Sequence, residues 1–363
     1  MARALDISED VNKEKLRTFL CRAVQSAHLN FIIGSGCSAP AIQTLGNIES
    51  EVQSLIDEEK RDEATRLLYG YLLPFLDSVN LLKGRVDEKH KAAIQNYGSF
   101  LETISEILFE RKSSIAPRQA SIFTTNYDLF IESAFESFKG PLTLNDGFDR
   151  RPSLHGRFGF TTAGFFDSVY RSGNLYDYEV QIPAVNLVKL HGSLSWLSDG
   201  EEILFSVDHL GQLKEESEQV EVDGDIVRIR DIVSRFSVIL PNTDKLANTL
   251  LSQIHYDLLR IYANALDREN TLLLTDGFSF EDAHIWQITK RGLRNPTLRL
   301  VIFCFEEPEV EDYLARFGEH DNVDIVYSGE GHIEFERFVS ILKEVSPRKR
   351  TKRSADTRQE EDD

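Results

Sequence analysis

Three short segments of the chain combine an apolar run with an end of small or polar residues, and they span residues 31–38, 122–128 and 187–193. An apolar run of this kind is typical of a buried parallel strand. Open α/β sheets bind their ligands at the carboxyl ends of such strands. We therefore expect the three polar ends to meet at one edge of a sheet, where their groups could bind a nucleotide.

Two glycine turns at strand ends are suited to a phosphate. Gly34, Ser35 and Gly36 follow the first apolar run, and a turn of this composition lets backbone N–H groups approach a diphosphate closely. Gly277 and Ser279 repeat the pattern after a later apolar run. A glycine turn after a strand is also a common structural turn, and Ser279 could instead cap the helix that follows.

The other two ends carry side chains that suit acid–base chemistry and ribose binding. Asn126 offers two donors and an acceptor to one ligand, and Asp128 could accept from ribose hydroxyl groups or cap the next helix. His191 directly follows an apolar run, where an imidazole can act as a base near neutral pH. A structural role stays open for each of them. Three further histidines lack such a setting, and we interpret them as structural: His155, His255 and His284.

Composition limits the classes of protein to which the chain can belong. Its 363 residues are enough for about two domains, and a hydrophobic content of 41% indicates a globular protein. A net charge of −19 repels nucleic acid and anionic lipid. No stretch approaches the ~20 continuous apolar residues of a membrane span, and the charged N-terminus is unlike a signal peptide. We therefore expect a cytoplasmic protein that does not bind a membrane.

The cysteines and histidines argue against a metal site. Cys21, Cys37 and Cys304 are far apart and form no CxxC pair, so they cannot build a zinc ribbon. We expect them to be buried small side chains. None of the nine histidines forms an HxxxH or HExxH pair, which disfavours a metal hydrolase. The sequence therefore predicts no metal cofactor.

Around the three segments, the hydrophobic pattern alternates between buried strands and amphipathic helices. The predicted strands span residues 29–33, 121–125, 185–190, 271–274, 298–305 and 323–327. The predicted helices span residues 10–28, 48–69, 70–82, 91–112, 129–138, 245–266, a stretch from about 281, 308–317 and 332–345. Strands that alternate with helices predict an α/β fold with a doubly wound, mostly parallel sheet.

The pattern also predicts how the chain is organised. Residues 1–28 contribute an N-terminal helix, and residues 29–345 form the main domain. This domain carries a helical insertion at about 48–112 and a small insertion of loops and β-strands at about 140–240, in which 140–184 lies over the site.

Hairpins are predicted in the second half of that small insertion. Asp199 and Gly200 signal a turn before a strand at 203–207, and the acidic stretch 214–225 separates that strand from another at 227–232. Residues 346–363 are charged and nearly devoid of apolar side chains, so we expect a disordered tail.

Taken in order, the motifs resemble the sirtuin superfamily, and more specifically the divergent sirtuin-like domains of prokaryotic anti-phage defence. The resemblance rests on residues 34–38, 125–128, 190–192 and 277–279, and it spans roughly residues 29–330. It implies a Rossmann-like sheet that binds NAD as its substrate. The Asn126 and Asp128 pair together with His191 is the specific part of the match.

The resemblance implies a role for each matching residue. Asn126 and Asp128 contact the nicotinamide ribose and position the attacking group, and His191 is the base near the ribose hydroxyl groups. The diphosphate and the nicotinamide side are held by Gly34, Ser35, Gly36 and Ser38. The adenosine half contacts Gly277 and Ser279, and the cofactor site also includes Thr125 and Gly192.

Departures from the family pattern bear on the reaction. The paired-cysteine zinc ribbon of protein deacylases is absent, Thr125 stands where glutamine is expected, and no Pro-Asp-Phe-Arg pattern follows Ser38. These losses disfavour acyl-lysine chemistry and leave the NAD-cleaving core intact. The resemblance therefore implies a regulated NAD hydrolase that forms nicotinamide and ADP-ribose and depletes NAD in the infected cell.

Other functions remain as alternatives. The chain could be a non-catalytic NAD or ADP-ribose sensor, although such a binder has no need of His191 as a base. A protein deacylase is less favoured. Nucleic acid binding rests only on the basic residues within 348–353, so we expect at most indirect contact with nucleic acid, through this tail or a partner.

The resemblance also implies partners. An NAD hydrolase needs a trigger, and the sequence contains no obvious sensor domain. We expect a HerA-type hexameric ATPase, rather than an Argonaute-like protein, to supply it. We also expect a homo-oligomer, with the predicted helices at 10–28 and 48–112 as candidate contact surfaces.

Overall fold

A computed structural model describes residues 1–39, 41–42, 48–79, 84, 86–111, 116–151, 156–173, 179–222, 224–238 and 249–346. Its strands are β1 (Arg3–Asp6), β2 (His28–Ile33), β3 (Gln119–Thr124), β4 (Thr143–Asn145), β5 (Tyr170–Ser172), β6 (Glu179–Gln181), β7 (Ala184–Lys189), β8 (Trp196–Ser198), β9 (Ile203–Phe205), β10 (Thr271–Asp276), β11 (Leu298–Phe303) and β12 (Val323–Tyr327).

The α-helices are α1 (Asp10–Ser26), α2 (Ile48–Asp57), α3 (Arg61–Leu72), α4 (Glu88–Phe109), α5 (Phe130–Glu136), α6 (Asp208–Ser217), α7 (Ile226–Ser234), α8 (Thr249–Asp267), α9 (Ala283–Gly292), α10 (Glu309–Phe317) and α11 (Phe335–Val345). Short 3-10 turns span Ser35–Ser38, Leu73–Ser78 and Thr162–Gly164. None of the helices in the described ranges is long and apolar enough to cross a membrane.

Eight strands form one parallel sheet in the order β1-β12-β11-β10-β2-β3-β7-β4. Helices cover both faces, so β3, β7 and β10 are buried along their whole length. On one face Phe31 of β2 packs edge-on against Phe100 of α4, at 5.1 Å between ring centroids. On the other face Phe123 of β3 packs against Tyr262 of α8 at 4.9 Å. The predicted Rossmann-like, doubly wound sheet is therefore confirmed.

The direction of winding reverses at β2. From β2 the chain moves to β3 and then β7 on one side, whereas β10, β11 and β12 follow on the other side. The loops after β2 and β10 therefore lie at the topological switch point, where a crevice for a ligand forms in open α/β sheets. These loops hold the two predicted glycine turns.

The prediction of a strand at 227–232 is wrong, because these residues belong to helix α7. Ile229 and Ile232 are buried at a three-residue spacing, and Asp225 caps the helix through the N–H of Val227. Val227, which alternation would bury with Ile229, is 67% exposed. The acidic stretch from 214 likewise begins inside helix α6, so the insertion at 140–240 is only partly β. Its predicted hairpin at Asp199 and Gly200 is confirmed as β8 and β9.

Two further predictions need correction. The helix predicted at 48–69 is two helices, α2 and α3, with Glu59 between them at φ +62°. The segment 70–82 leaves the α-helical conformation at Leu72, and Pro74 lies in the 3-10 turn that follows. The first four residues of helix 245–266 and the tail from 347 lie outside the described residues.

Residues 1–28 contain a strand as well as the predicted helix. Strand β1 pairs in parallel with β12 at the edge of the sheet. Asp324 of β12 lies between two arginines: it accepts from Arg3 Nε at 2.7 Å and from Arg299 Nε at 2.8 Å. Since Asp324 is only 2% exposed, this carboxylate ties three neighbouring strands together.

We expect Asp324→Asn to lower the free energy of unfolding by about 2 kcal/mol, because it removes a buried charge that two arginines share. Asp231→Asn is the matched control, since Asp231 pairs with Arg235 on the surface at 3.5 Å and exposed pairs contribute little. Urea unfolding of both variants measures the difference. Equal stability of the two variants would contradict the structural role given to Asp324.

Candidate functional site

The backbones of the two glycine turns lie directly against each other at the switch point. Gly34 N–H donates to the carbonyl of Asp276 at 3.0 Å, and Gly36 N–H donates to the carbonyl of Gly277 at 3.1 Å. A Cβ atom on Gly34 would lie 2.0 Å from the Gly277 oxygen. Gly277 itself has φ +62°, which favours glycine. Glycine is therefore required for the contact between the loops, and two of the predicted phosphate-binding N–H groups are engaged within the protein.

Asn126 projects from the end of β3 towards the first turn. Its Nδ2 donates to the Gly34 carbonyl at 3.0 Å and to Ser38 Oγ at 3.3 Å. Its Oδ1 is buried and has no hydrogen-bond partner among the described residues. A buried acceptor without a partner is costly. Asn126 therefore presents an oxygen that can accept a hydrogen bond from a ligand.

Ser38 joins Asp128 and Tyr97 to the same group. Ser38 Oγ donates to Asp128 Oδ2 at 2.8 Å, and Tyr97 OH lies 2.9 Å from Ser38 Oγ. Burial raises the pKa of Tyr97 well above its usual range, and the charge of Asp128 adds to this shift, so the phenol stays protonated and can donate. Asp128 Oδ1 accepts from the Phe130 N–H at 3.2 Å, so this side chain also has the structural role left open by the sequence.

A buried ion pair supports the backbone at Asp128. Lys189 Nζ lies 2.8 Å from Glu132 Oε1 and donates to the carbonyl of Asp128, and to Ser193 Oγ at 3.2 Å. Burial raises the pKa of Glu132, and the positive charge of Lys189 opposes that shift. The pair therefore links α5 to the end of β7 and fixes the loop that carries Asp128.

His191 belongs to a second polar group. Its Nε2 lies 3.0 Å from Asp282 Oδ2, and Asp282 Oδ1 accepts from the Ile285 N–H at 2.9 Å. Asp282, and not Ser279, is thus the N-cap of α9. Burial raises the pKa of Asp282, but His191, the Ile285 N–H and His284 together more than offset this and hold the pKa well below its usual range.

Two histidines that we interpret as structural, His255 and His284, lie on helices next to this second group. The ring of His255 lies 5.8 Å from that of His191, and His284 lies 6.5 Å from His255. His255 Nδ1–H donates to the carbonyl of Leu190 at 2.8 Å. His155 lies outside the described residues. The structure thus separates His191 with its partners from the group around Asn126.

Beneath the second glycine turn, Cys37 contacts Asp276. Cys37 Sγ donates to Asp276 Oδ2 at 3.1 Å. Burial raises the pKa of Asp276 to about 7, the hydrogen bond from Cys37 lowers it in part, and the charge of Glu309 adds to the rise. All three cysteines are free and buried, as predicted: Cys21, Cys37 and Cys304.

The space next to Asn126 is small. A void of about 10 Å³ lies between the strand ends and the aromatic rings of Tyr71 and Phe75, which is room for one water molecule. Tyr71 and Phe75, with Ile42, also line a groove of about 530 Å³, a volume typical of ligand pockets. These three side chains therefore separate the polar groups from a groove of ligand size.

Comparison with known families shows to which family a chain with this arrangement belongs. A model of the SIR2-like domain matches residues 120–326, which is more than half of the chain. The chain belongs to the SIR2-like family. The match contains Asn126, Asp128 and His191, whereas the turn at 34–38 precedes it. The SIR2-like fold binds NAD, and open α/β sheets bind dinucleotides in the crevice at the switch point. Both the family and the sheet topology therefore indicate a dinucleotide ligand.

The search of curated proteins found no match to the chain. Within the described residues, no three His, Cys, Asp or Glu side chains are placed to hold a metal ion. Four residues that contact or neighbour the predicted site residues were not themselves predicted as site residues from the sequence: Tyr97, His255, Asp276 and Asp282. The position of Asp282 early in a predicted helix could have indicated its role, whereas no local pattern in the sequence indicated Tyr97.

We expect Gly34→Ala to destabilise the protein by about 2 kcal/mol or more, because its Cβ would overlap the Gly277 carbonyl. Gly98→Ala is the control: Gly98 lies in helix α4 with open space around it, so alanine should stabilise the protein by roughly 0.5–1 kcal/mol. Thermal unfolding compares the two. A neutral Gly34→Ala would show that the turns do not need close contact.

Stability should also depend on the pH through Asp276. Its pKa of about 7 in the folded protein exceeds the usual aspartate value of 3.8, so between these values the folded state holds a proton that the unfolded chain has released. The free energy of unfolding should therefore fall as pH rises through this window. Asp276→Asn should remove that part of the decrease. Urea unfolding of both proteins at about pH 5 and about pH 8 tests this, and identical pH dependence would contradict it.

Proposed function

We propose that the chain is an NAD hydrolase that releases nicotinamide and leaves ADP-ribose. The observation that carries the proposal is the buried Oδ1 of Asn126, which has no hydrogen-bond partner among the described residues at the carboxyl end of a central strand. Ser38 and Asp128 flank it within one hydrogen-bonded group. This arrangement offers an acceptor and a carboxylate to the hydroxyl groups of a ribose.

In the proposed reaction, water attacks C1′ of the nicotinamide ribose and the bond from C1′ to the pyridinium nitrogen breaks. Nicotinamide leaves with the bonding electron pair and becomes neutral, and the water loses one proton. Asn126 and Asp128 would hold the ribose, and His191 would take the proton. Such positioning and general base catalysis are the contributions that a protein can make to this bond cleavage.

The small void beside Asn126 favours regulation of such an activity. Nicotinamide does not fit into about 10 Å³, so the rings of Tyr71 and Phe75 must move before the reactive end of NAD can reach Asn126. When they move, the void becomes continuous with the groove of about 530 Å³ on their other side. We infer that the described conformation is a closed one, which an activator would open.

The biological role in the proposal follows from the resemblance. The enzyme would act as an effector of anti-phage defence that depletes NAD in the infected cell. A HerA-type hexameric ATPase would act as the trigger, and the enzyme would work as a homo-oligomer. The candidate contact surfaces are helix α1 and helices α2, α3 and α4. Helix α3 contributes Tyr71 to the lining of the void, and α2 and α4 precede and follow it in the chain.

We expect Asn126→Ala and His191→Ala each to reduce nicotinamide release from NAD by at least about 10²-fold, because each removes a group that the reaction needs. The purified chain is assayed alone and with a HerA-type ATPase. Glu311→Ala, at an exposed position of helix α10 that is outside both the site and the candidate contact surfaces, is the control and should keep full activity. Melting temperatures of all variants show whether the fold is retained.

The outcome separates the alternatives. Normal activity in both site variants would refute the assignment of the residues. If the native chain binds NAD without releasing nicotinamide, with or without the ATPase, the sensor hypothesis replaces the hydrolase. Release that depends on an acylated lysine peptide would instead indicate a deacylase.

A further inference from the structure

The contact between Asp282 and His191 joins distant parts of the sheet. Asp282 caps helix α9 after β10, whereas His191 lies two residues after the end of β7, and strands β2 and β3 lie between β10 and β7 in the sheet. The two side chains are only 16% and 10% exposed. A carboxylate and an imidazole withdrawn from water to this degree need a partner. The contact therefore spans the switch-point edge and supplies that partner to both groups.

Both oxygens of Asp282 are engaged, so the carboxylate has a fixed orientation. Oδ1 accepts from the Ile285 N–H at the start of α9, and Oδ2 faces His191. Capping alone would need one oxygen, and serine or asparagine could provide it. The second oxygen is therefore available for a role that capping does not explain.

The backbone next to His191 is held as well. His255 donates from Nδ1 to the carbonyl of Leu190. Burial lowers the pKa of His255, and the hydrogen bond to that carbonyl opposes the shift only in part, so His255 should be neutral near neutral pH. Among the described residues, the titratable groups next to His191 are Asp282 and His255, and the more exposed His284 lies beyond them, with its Nδ1 4.0 Å from Asp282 Oδ1.

We propose that Asp282 is a positioning residue that sets the tautomer of His191 and makes Nδ1 the atom that accepts the proton. The ionised carboxylate can only accept, so Nε2 must carry the hydrogen and Nδ1 keeps its lone pair. When water attacks NAD, its proton moves to Nδ1 and His191 becomes an imidazolium beside Asp282, which stays ionised. The proton then leaves to solvent. This role rests on the proposed function, in which His191 is the base.

Two substitutions separate this role from helix capping. Asp282→Ser keeps a capping oxygen but is too short to reach His191. Asp282→Asn keeps the cap and the reach, but its amide would donate to Nε2 and place the hydrogen of His191 on Nδ1. We expect kcat for nicotinamide release to fall on the order of 10²-fold in Asp282→Ser and further in Asp282→Asn, with KM for NAD little changed. A purely structural Asp282 predicts that Asp282→Asn behaves like the native protein.

The matched control is Asp225→Ser. Asp225 caps helix α7 through the Val227 N–H at 2.9 Å, and none of the described histidines pairs with it. This variant loses a comparable cap carboxylate, so it should keep native kcat. If Asp225→Ser lost activity to the same degree as Asp282→Ser, the effect would come from capping and the proposal would be overturned.

A second measurement does not depend on activity. The ring of His191 is observed by NMR in protein labelled with ¹⁵N-histidine, and its signals are assigned by their loss in His191→Gln. The ¹⁵N chemical shifts of the neutral ring report which nitrogen carries the hydrogen, so they should show Nε2–H in the native protein and a mixture of the two tautomers in Asp282→Ser. The same tautomer ratio in both proteins would overturn the proposal.

The two readouts also distinguish failure of this inference from failure of the proposed function. A native chain that releases no nicotinamide would refute the hydrolase, and the tautomer measured by NMR would still decide whether Asp282 controls His191. Active protein in which Asp282→Asn retains native kcat would leave the hydrolase intact and refute the positioning role.

Discussion

The close contact between the backbones after β2 and β10 is the constraint on which the site depends. Two N–H groups of the first turn donate to the carbonyls of Asp276 and Gly277, and a Cβ on Gly34 would overlap the second turn. This contact brings the Gly34 carbonyl to the amide of Asn126. It also places Cys37 against Asp276. The glycines are therefore needed first for the packing of the loops after β2 and β10, and only then for binding of a ligand.

Two polar groups lie around this contact, and a helix fixes each of them. Tyr97 of α4 reaches Ser38 and thereby Asn126 and Asp128. The first turn of α9 fixes Asp282, which holds His191. Side chains held by rigid elements need little reorganisation when a ligand arrives. Among the described residues, Tyr71 and Phe75 of the helical segment line the small space next to Asn126.

The alternation of strands and helices in the sequence is sufficient to predict the doubly wound sheet, because buried parallel strands are continuous apolar runs whatever their neighbours are. Short or amphipathic segments are harder to assign. Strand β1 has only four residues and is stabilised by β12, more than three hundred residues away in the chain. Helix α7 contains several β-branched residues, which favour a strand locally, and only the burial of Ile229 and Ile232 on one side selects the helix.

At the site, the sequence by itself determined the residues that occupy strand ends, namely Asn126, Asp128 and His191, because the end of a buried strand is a local feature. It also determined the two glycine turns, and the order of these motifs indicated the family. Tertiary structure decided the partners: Tyr97 for Ser38 and Asp282 for His191. It also decided that Asn126 and His191 belong to separate hydrogen-bonded groups. Contacts between side chains distant in sequence depend on how strands and helices pack, and no local pattern encodes that packing.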